Sequence, residues 1–238
     1  MITRSGFFLL RCVGIFAIFT VCAGEYPRSH PEEYLAKVHA RLKISGGSFQ
    51  DEYPEQLMVA MYLPEDAKVL ELGGNIGRNT LVIASILSDS KNLVSMETAF
   101  DSARRLLYNQ RINHLDFHIE NAALSKVALI QSGWTTIPSE VVLPGYFKVR
   151  TITFDELCSK YGITFDTLVI DCEGAFYGIL KDEPSILDSI KLIIIENDFQ
   201  VAGQYEFVTD AFIKNGFELV YRRALGGSEN FYQVWKKK

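Results

Sequence analysis

The stretch KVLELGGNIG, residues 68–77, decides the fold. A short apolar run (Val69, Leu70, Leu72) passes straight into Gly73, Gly74 and Gly77, and NTLVIASIL (79–87) then repeats apolar residues at helical spacing. A strand, a tight glycine turn and a helix open a strand–helix sheet. The alternation continues: NLVSME (92–97) reads as a strand, FDSARRLLYNQRI (100–112) as a helix and DFHIENAAL (116–124) as a strand and its exit. RTITFDELCSKYG (150–162) holds a strand end and a helix, DTLVIDCEG (166–174) a strand, and AFYGILKDEPSILDSI (175–190) a helix interrupted at Pro184. KLIIIEND (191–198) is a strand and YEFVTDAFIKNGF (205–217) a helix. The near-continuous apolar runs at 168–171 and 192–195 suit strands buried on both faces, as in a parallel sheet covered by helices. FELVYR (217–222) and NFYQVWKK (230–237) are separated by only seven residues, too few for a crossover helix, so they form a hairpin and one strand runs antiparallel. The expected fold is α/β: a doubly wound, mostly parallel seven-stranded sheet ending in a C-terminal antiparallel hairpin.

Working outward, the 238 residues are 48% hydrophobic and 22% charged, which is ordinary globular composition and excludes disordered, collagenous and purely coiled-coil chains. Lys and Arg number 24 against 29 Asp and Glu, a net charge of −5, with no excess of cations to neutralise nucleic-acid phosphates. None of the four cysteines (Cys12, Cys22, Cys158, Cys172) forms a C-x-x-C pair, and the last two read as buried thiols. Upstream of the sheet, PEEYLAKVHARLKI (31–44) has Pro31 and two acids at its start and Arg41 and Lys43 near its end, the polarity of a helix. Residues 52–62 read as a second helix, stopped by Pro64. Residues 25–65 are thus expected as an N-terminal helical lid, ahead of a main domain over 66–238. Residues 1–24 combine Arg4 and Arg11 with an uncharged run from Cys12 to Ala23, and Val21 and Ala23 are small residues before Gly24. That pattern is the one expected of a secretory signal peptide. A twelve-residue run is short for a membrane span, but 6–23 can associate with a membrane as an anchor if Arg11 reaches the boundary. The compartment follows whichever of these holds, secretory or membrane-associated with a signal or anchor and cytoplasmic without one.

Ligands of open α/β sheets bind at the carboxyl ends of the strands. The first such end reads Glu71-Leu72-Gly73-Gly74-Asn75-Ile76-Gly77. A dinucleotide fingerprint requires glycine where Asn75 stands, which disfavours an NAD-type oxidoreductase, and no Gly-Lys-Ser/Thr phosphate loop is present. An acid followed by a glycine turn suits a cationic ligand better than a phosphate, and S-adenosylmethionine carries an ammonium and a sulfonium. Glu97 ends the second strand about twenty residues on, where an acid accepts hydrogen bonds from ribose hydroxyls. Glu120 and Asn121 end the third, where an adenine would sit. Glu71, Gly73, Asn75, Gly77, Glu97 and Asn121 are therefore the expected cofactor residues.

The fourth and fifth strand ends carry Asp171-Cys172-Glu173-Gly174 and Glu196-Asn197-Asp198. Residues two apart in a strand share a face, so Asp171 and Glu173 are expected to point into one cleft with Glu196 beside them. Such carboxylates can take the proton of an attacking hydroxyl. Alternatively Asp171, Glu196 and Asn197 can hold Mg²⁺, which lowers that hydroxyl's pKa. Asp198 and Glu173 can equally cap the helices that follow them. No histidine has metal-ligand spacing, and no G-x-S-x-G elbow of a Ser-His-Asp hydrolase occurs. Trp134, Tyr146, Phe147 and Tyr177 are candidates for a wall on which a sugar stacks.

VLELGGNIGRNTLVIA (69–84), VSMETAFDSARRLLYNQRIN (94–113), AALS (122–125), TITFDELC (151–158), LVIDCEGAFYGIL (168–180) and IIIENDF (193–199) together resemble the FkbM-type methyltransferases, in family order. The resemblance implies a Rossmann-like class I S-adenosylmethionine-dependent fold and O-methylation, often of sugar or polyketide hydroxyls. It implies Glu71, Gly73, Asn75 and Gly77 as cofactor-loop residues, Glu97 at the ribose, and Asp171 and Glu173 beside the reacting centre. The family more often has Asp where this chain has Glu71, a Glu-Pro pair where it has Glu97-Thr98, and an acid where it has Phe176. The expected function is methyl transfer to a hydroxyl of a small-molecule or glycan acceptor; a catalytically silent nucleoside-binding module is the alternative.

Overall fold

The computed structural model describes residues 26–199 and 201–238. The signal or anchor expected at 1–24 lies outside the described residues, among which no helix is long and apolar enough to cross a membrane. In chain order the elements are α1 (Pro31–His39), α2 (Tyr53–Tyr62), β1 (Val69–Leu72), α3 (Arg78–Ile86), β2 (Leu93–Met96), α4 (Phe100–Ile112), β3 (His118–Glu120), β4 (Ala123–Leu124), β5 (Leu129–Ser132), β6 (Thr135–Pro138), β7 (Phe147–Val149), β8 (Thr151–Ile152), α5 (Phe154–Tyr161), β9 (Thr167–Ile170), α6 (Phe176–Asp182), β10 (Leu192–Glu196), α7 (Gln204–Lys214), β11 (Phe217–Leu225) and β12 (Ser228–Lys237).

Seven strands form one sheet in the order β11-β12-β10-β9-β1-β2-β3. The five inner strands from β10 to β3 pair in parallel, and β12 pairs antiparallel with both β10 and β11. The expected sheet and terminal hairpin are therefore present, although the hairpin strands run closer to their turn, leaving only Gly226 and Gly227 between them. Every residue of β1, β2 and β9 is buried, because helices cover both faces. One apolar layer includes Val69, Val82, Leu93, Ile194 and Val234; the other includes Leu70, Val94, Leu168, Ile193 and Trp235. Pro184 ends the helical run as expected: α6 stops at Asp182 and a 3₁₀ turn spans Pro184–Leu187.

The N-terminal segment expected as a lid is built into the first layer. Leu35, Met58, Val59 and Leu63 are almost fully buried there with Leu81 and Ile83 of α3. A further feature not legible in the apolar periodicity is a small antiparallel sheet, β6-β5-β7, inserted between β4 and β8, which pair with each other.

Candidate active site

A cavity of about 750 Å³ opens at the carboxyl ends of the parallel strands. Its wall includes Gly73 after β1, Glu97 after β2, Asp171 after β9 and Glu196 at the end of β10, with α2 contributing Glu55 and the small sheet Trp134. Eight carboxylic side chains line it (Asp51, Glu52, Glu55, Glu97, Asp171, Glu173, Asp182, Glu196) against a single cationic one, Lys181. The wall therefore attracts cations.

The glycine turn is shaped by contacts, not by composition alone. Gly73 has φ +95° and its Cα faces the Asp171 carbonyl so closely that a Cβ would lie 1.6 Å from that oxygen. The amides of Gly73 and Gly74 both donate to the Met96 carbonyl, at 3.0 and 2.9 Å, closing the turn onto β2. Asn75 is left-handed at φ 46°, and its amide donates to Glu97 Oε2 at 2.8 Å. Glu97 Oε1 accepts from the Ala99 amide at 2.7 Å. Glu97 is thus held by one backbone donor on each oxygen, and burial pushes its pKa up against the lowering effect of those bonds. Its carboxylate also lines the cavity, where it can accept from a hydroxyl. Below the turn, buried Asn109 of α4 donates to the Ile76 carbonyl at 2.8 Å. From above, Arg78 pairs with Asp51 and Glu52 at 3.2 and 3.0 Å, tying the start of α2 to the turn.

Three expected cofactor residues stand elsewhere. Glu71 is buried beneath the turn, where Thr80 and Ser95 donate to its Oε2 at 2.6 and 2.5 Å; burial raises its pKa to about 7. It supports the turn and does not line the cavity. Gly77, φ +100°, caps α3 and packs on Leu106 without lining the cavity. Asn121 turns its amide back to the carbonyls of Glu97 and Thr98, at 2.7 and 3.1 Å, and the wall behind it is Ala122, Ala123 and Leu124. Glu120 is spent on Lys160, Arg150 and Tyr161. Asn121 therefore braces the second strand end, and Glu120 ties β3 to α5 and to Arg150.

At the other end of the cavity, Glu55, Asp171 and Glu196 bring carboxylate oxygens within 4.8 Å of one another. Burial, then the surrounding acids, raises the Asp171 pKa to about 8. Glu196 is pushed far higher by burial and by its hydrogen bond with Glu55. Asp198 takes the Gly174 amide at 2.7 Å and is raised to about 6, again chiefly by burial. Tyr232, opposite Glu196 in the β10–β12 register, is raised by burial and by Glu55 and Glu196. Glu55 and Tyr232 come from elements remote in sequence. An acid in the first turn of α2, just ahead of the apolar run 57–60, was the available signal for Glu55.

Two expectations at this end need correcting. Asp171 and Glu173 both line the cavity, but not by strand alternation: β9 ends at Ile170, and Glu173 sits in a turn at φ 53°, exposed to solvent. Asn197 does not join Asp171 and Glu196, because its amide donates to the Asn230 carbonyl and Gln233 Oε1 on the hairpin, at 2.8 and 3.1 Å. Glu55 takes the third position. Of the aromatic candidates, Trp134 and Tyr177 line the cavity, whereas Tyr146 and Phe147 lie beyond it.

A seven-stranded sheet of this order, with one strand antiparallel and an acid-rich cleft at its carboxyl edge, defines a Rossmann-like methyltransferase fold. Solved structures share it. The ribosomal protein L11 methylase of Lactobacillus delbrueckii subsp. bulgaricus aligns with a TM-score of 0.50 at 12% identity, over 83% of this chain and 84% of that one. A protein of the NADB-Rossmann superfamily from Streptococcus agalactiae aligns with a TM-score of 0.51 at 14% identity, over 82% and 70%. The model of the methyltransferase FkbM domain matches residues 71–219, well over half of the chain, which therefore belongs to the FkbM methyltransferase family. No curated protein matches it in sequence.

Proposed function

We propose that the chain transfers a methyl group from S-adenosylmethionine to a hydroxyl of a sugar or glycoconjugate. The observation that carries this reading is the cavity wall, in which eight acids and one lysine surround a space of about 750 Å³ between the glycine turn and the Glu55–Asp171–Glu196 cluster. S-adenosylmethionine, when bound, supplies an electrophilic methyl carbon on a positively charged sulfur. A wall of this sign suits that charge, and the cavity-lining carboxylate of Glu97 suits ribose hydroxyls.

On the acceptor side, Asp171 has a pKa near neutrality, the range in which a carboxylate acts as a base. Asp171 would take the proton of the acceptor hydroxyl, and S-adenosylmethionine, held toward Glu97, would supply the methyl carbon that the oxygen receives. Glu196, held toward its protonated form by burial and the neighbouring acids, keeps the cluster from carrying three adjacent charges. Trp134 and Tyr177 offer aromatic surface to a sugar ring. Mg²⁺ is the alternative occupant of the cluster, since three carboxylates within 4.8 Å present the hard oxygen ligands it takes.

Transfer of labelled methyl from S-adenosylmethionine to hydroxylated glycans, with and without Mg²⁺, tests the reading. Label on an acceptor oxygen supports it. Cofactor binding without turnover on any hydroxylated acceptor favours the silent nucleoside-binding module. Loss of turnover on chelation assigns the carboxylate cluster to Mg²⁺, and unchanged turnover assigns it to the proton.

A further inference from the structure

The small sheet β6-β5-β7 supplies Leu129, Gln131, Trp134, Thr136 and Pro138 to the cavity wall, and the chain that leaves Pro138 does something unusual for a soluble surface. Residues 141–147, VVLPGYF, contain no charged side chain, and all but Tyr146 are exposed. Val141 is 67% exposed, Val142 52%, Leu143 43% and Phe147 43%, with Trp134 at 57% on the same small sheet. The loop is built rather than loose. Ser139 Oγ donates to the Val141 carbonyl at 2.6 Å and accepts its amide at 3.1 Å, while the Tyr146 amide donates to the Leu143 carbonyl at 3.0 Å. Pro144 and Gly145, the latter at φ +80°, occupy the central positions of that last turn, where Pro and Gly are the preferred residues. A turn held in this way keeps its apolar side chains out in solvent instead of folding them inward, which is costly unless something covers them.

The surrounding charge says what covers them. Residues 126–150 carry three exposed bases, of which Arg150 is paired with buried Glu120 and Lys126 and Lys148 are not ion-paired among the described residues, against one acid, Glu140, at the start of the loop. An exposed, uncharged apolar loop with exposed aromatic residues and flanking lysines is the composition that inserts into the acyl boundary while meeting anionic headgroups.

We propose that the 139–147 loop inserts into an anionic lipid surface, so that the acceptor hydroxyl belongs to a membrane-borne glycolipid. The substrate part of this proposal rests on the methyltransferase reading above; the lipid contact does not.

The chain has two tryptophans, and Trp235 is buried at 3% exposure, so Trp134 reports on this sheet. The full chain is titrated with vesicles of phosphatidylcholine, with and without phosphatidylglycerol, some carrying brominated acyl chains. Tryptophan emission is expected to shift to shorter wavelength and to be quenched by bromine, more strongly with phosphatidylglycerol. Trp134→Phe is expected to lose the effect, the double variant Val142→Asp/Leu143→Asp to lose the quenching, and Lys148→Glu to lose the preference for phosphatidylglycerol. Emission unmoved by vesicles, or equal quenching in the double variant, overturns the proposal. A shift that grows with protein concentration in the absence of vesicles also overturns it, in favour of a contact between copies of the chain. Calorimetry with S-adenosylmethionine on the same samples separates the two readings: failure to bind it strikes the cavity assignment and leaves the lipid contact standing.

Discussion

Glu97 and Asp171 are the residues on which most rests. Glu97 fixes the Asn75 and Ala99 amides and lines the cavity. Glu97→Ala is expected to weaken S-adenosylmethionine binding by roughly 1–3 kcal/mol, the loss of charged hydrogen bonds. Titration calorimetry measures this, and unchanged affinity would remove Glu97 from the site. Asp171→Asn should keep cofactor affinity and cut turnover by about 10²-fold or more; wild-type turnover would remove Asp171 from the mechanism. The same variant has a signature in stability. Asp171 ionises near 3.8 when exposed and near 8 in the folded chain. Between those values the folded state binds more protons than the unfolded one, so stability falls as pH rises. Replacing Asp171 by Asn relieves that burden, so Tm at pH 7 should rise above wild type and the gain should vanish below the exposed-state value. A Tm at pH 7 at or below wild type would contradict the buried-acid account.

At the scale of elements, the turn between β1 and α3 and the helix α2 make separate demands. Gly73→Ala places a Cβ against the Asp171 carbonyl oxygen at a φ that side chains rarely adopt, so the turn must break from β9. A cost of at least about 3 kcal/mol is expected, with cofactor binding lost. Met58, 1% exposed on α2, anchors that helix in the first core layer. Met58→Ala should cost about 2–5 kcal/mol in denaturant unfolding. A much smaller loss would show that α2 is a detachable lid after all. How much could be read in advance also divides by element. Strands and helices of the main sheet follow from periodicity, because burial on both faces leaves continuous apolar runs such as Leu168–Ile170 and Leu192–Ile195. Turn residues are another matter. Where Glu173 points is set by a left-handed φ, and where Asn121 and Asn197 point is set by carbonyls on neighbouring strands, none of which is written in local spacing. Glu55 and Tyr232 reach the cavity through tertiary packing of α2 and through the β10–β12 register. The small sheet was invisible for a related reason: its strands are short and half exposed, with no sustained alternation.

For the whole molecule, the sheet order and the family match establish the scaffold, while the acid-rich wall gives the scaffold its preference for a cation at the carboxyl edge. The most direct test is titration calorimetry of the full chain with S-adenosylmethionine, with NAD as the competitor of the opposite charge. The account predicts saturable binding of one S-adenosylmethionine per chain, weakened in Glu97→Ala and preserved in Asp171→Asn, with no heat from NAD. Absence of binding at saturating S-adenosylmethionine, or tighter binding of NAD, would contradict it.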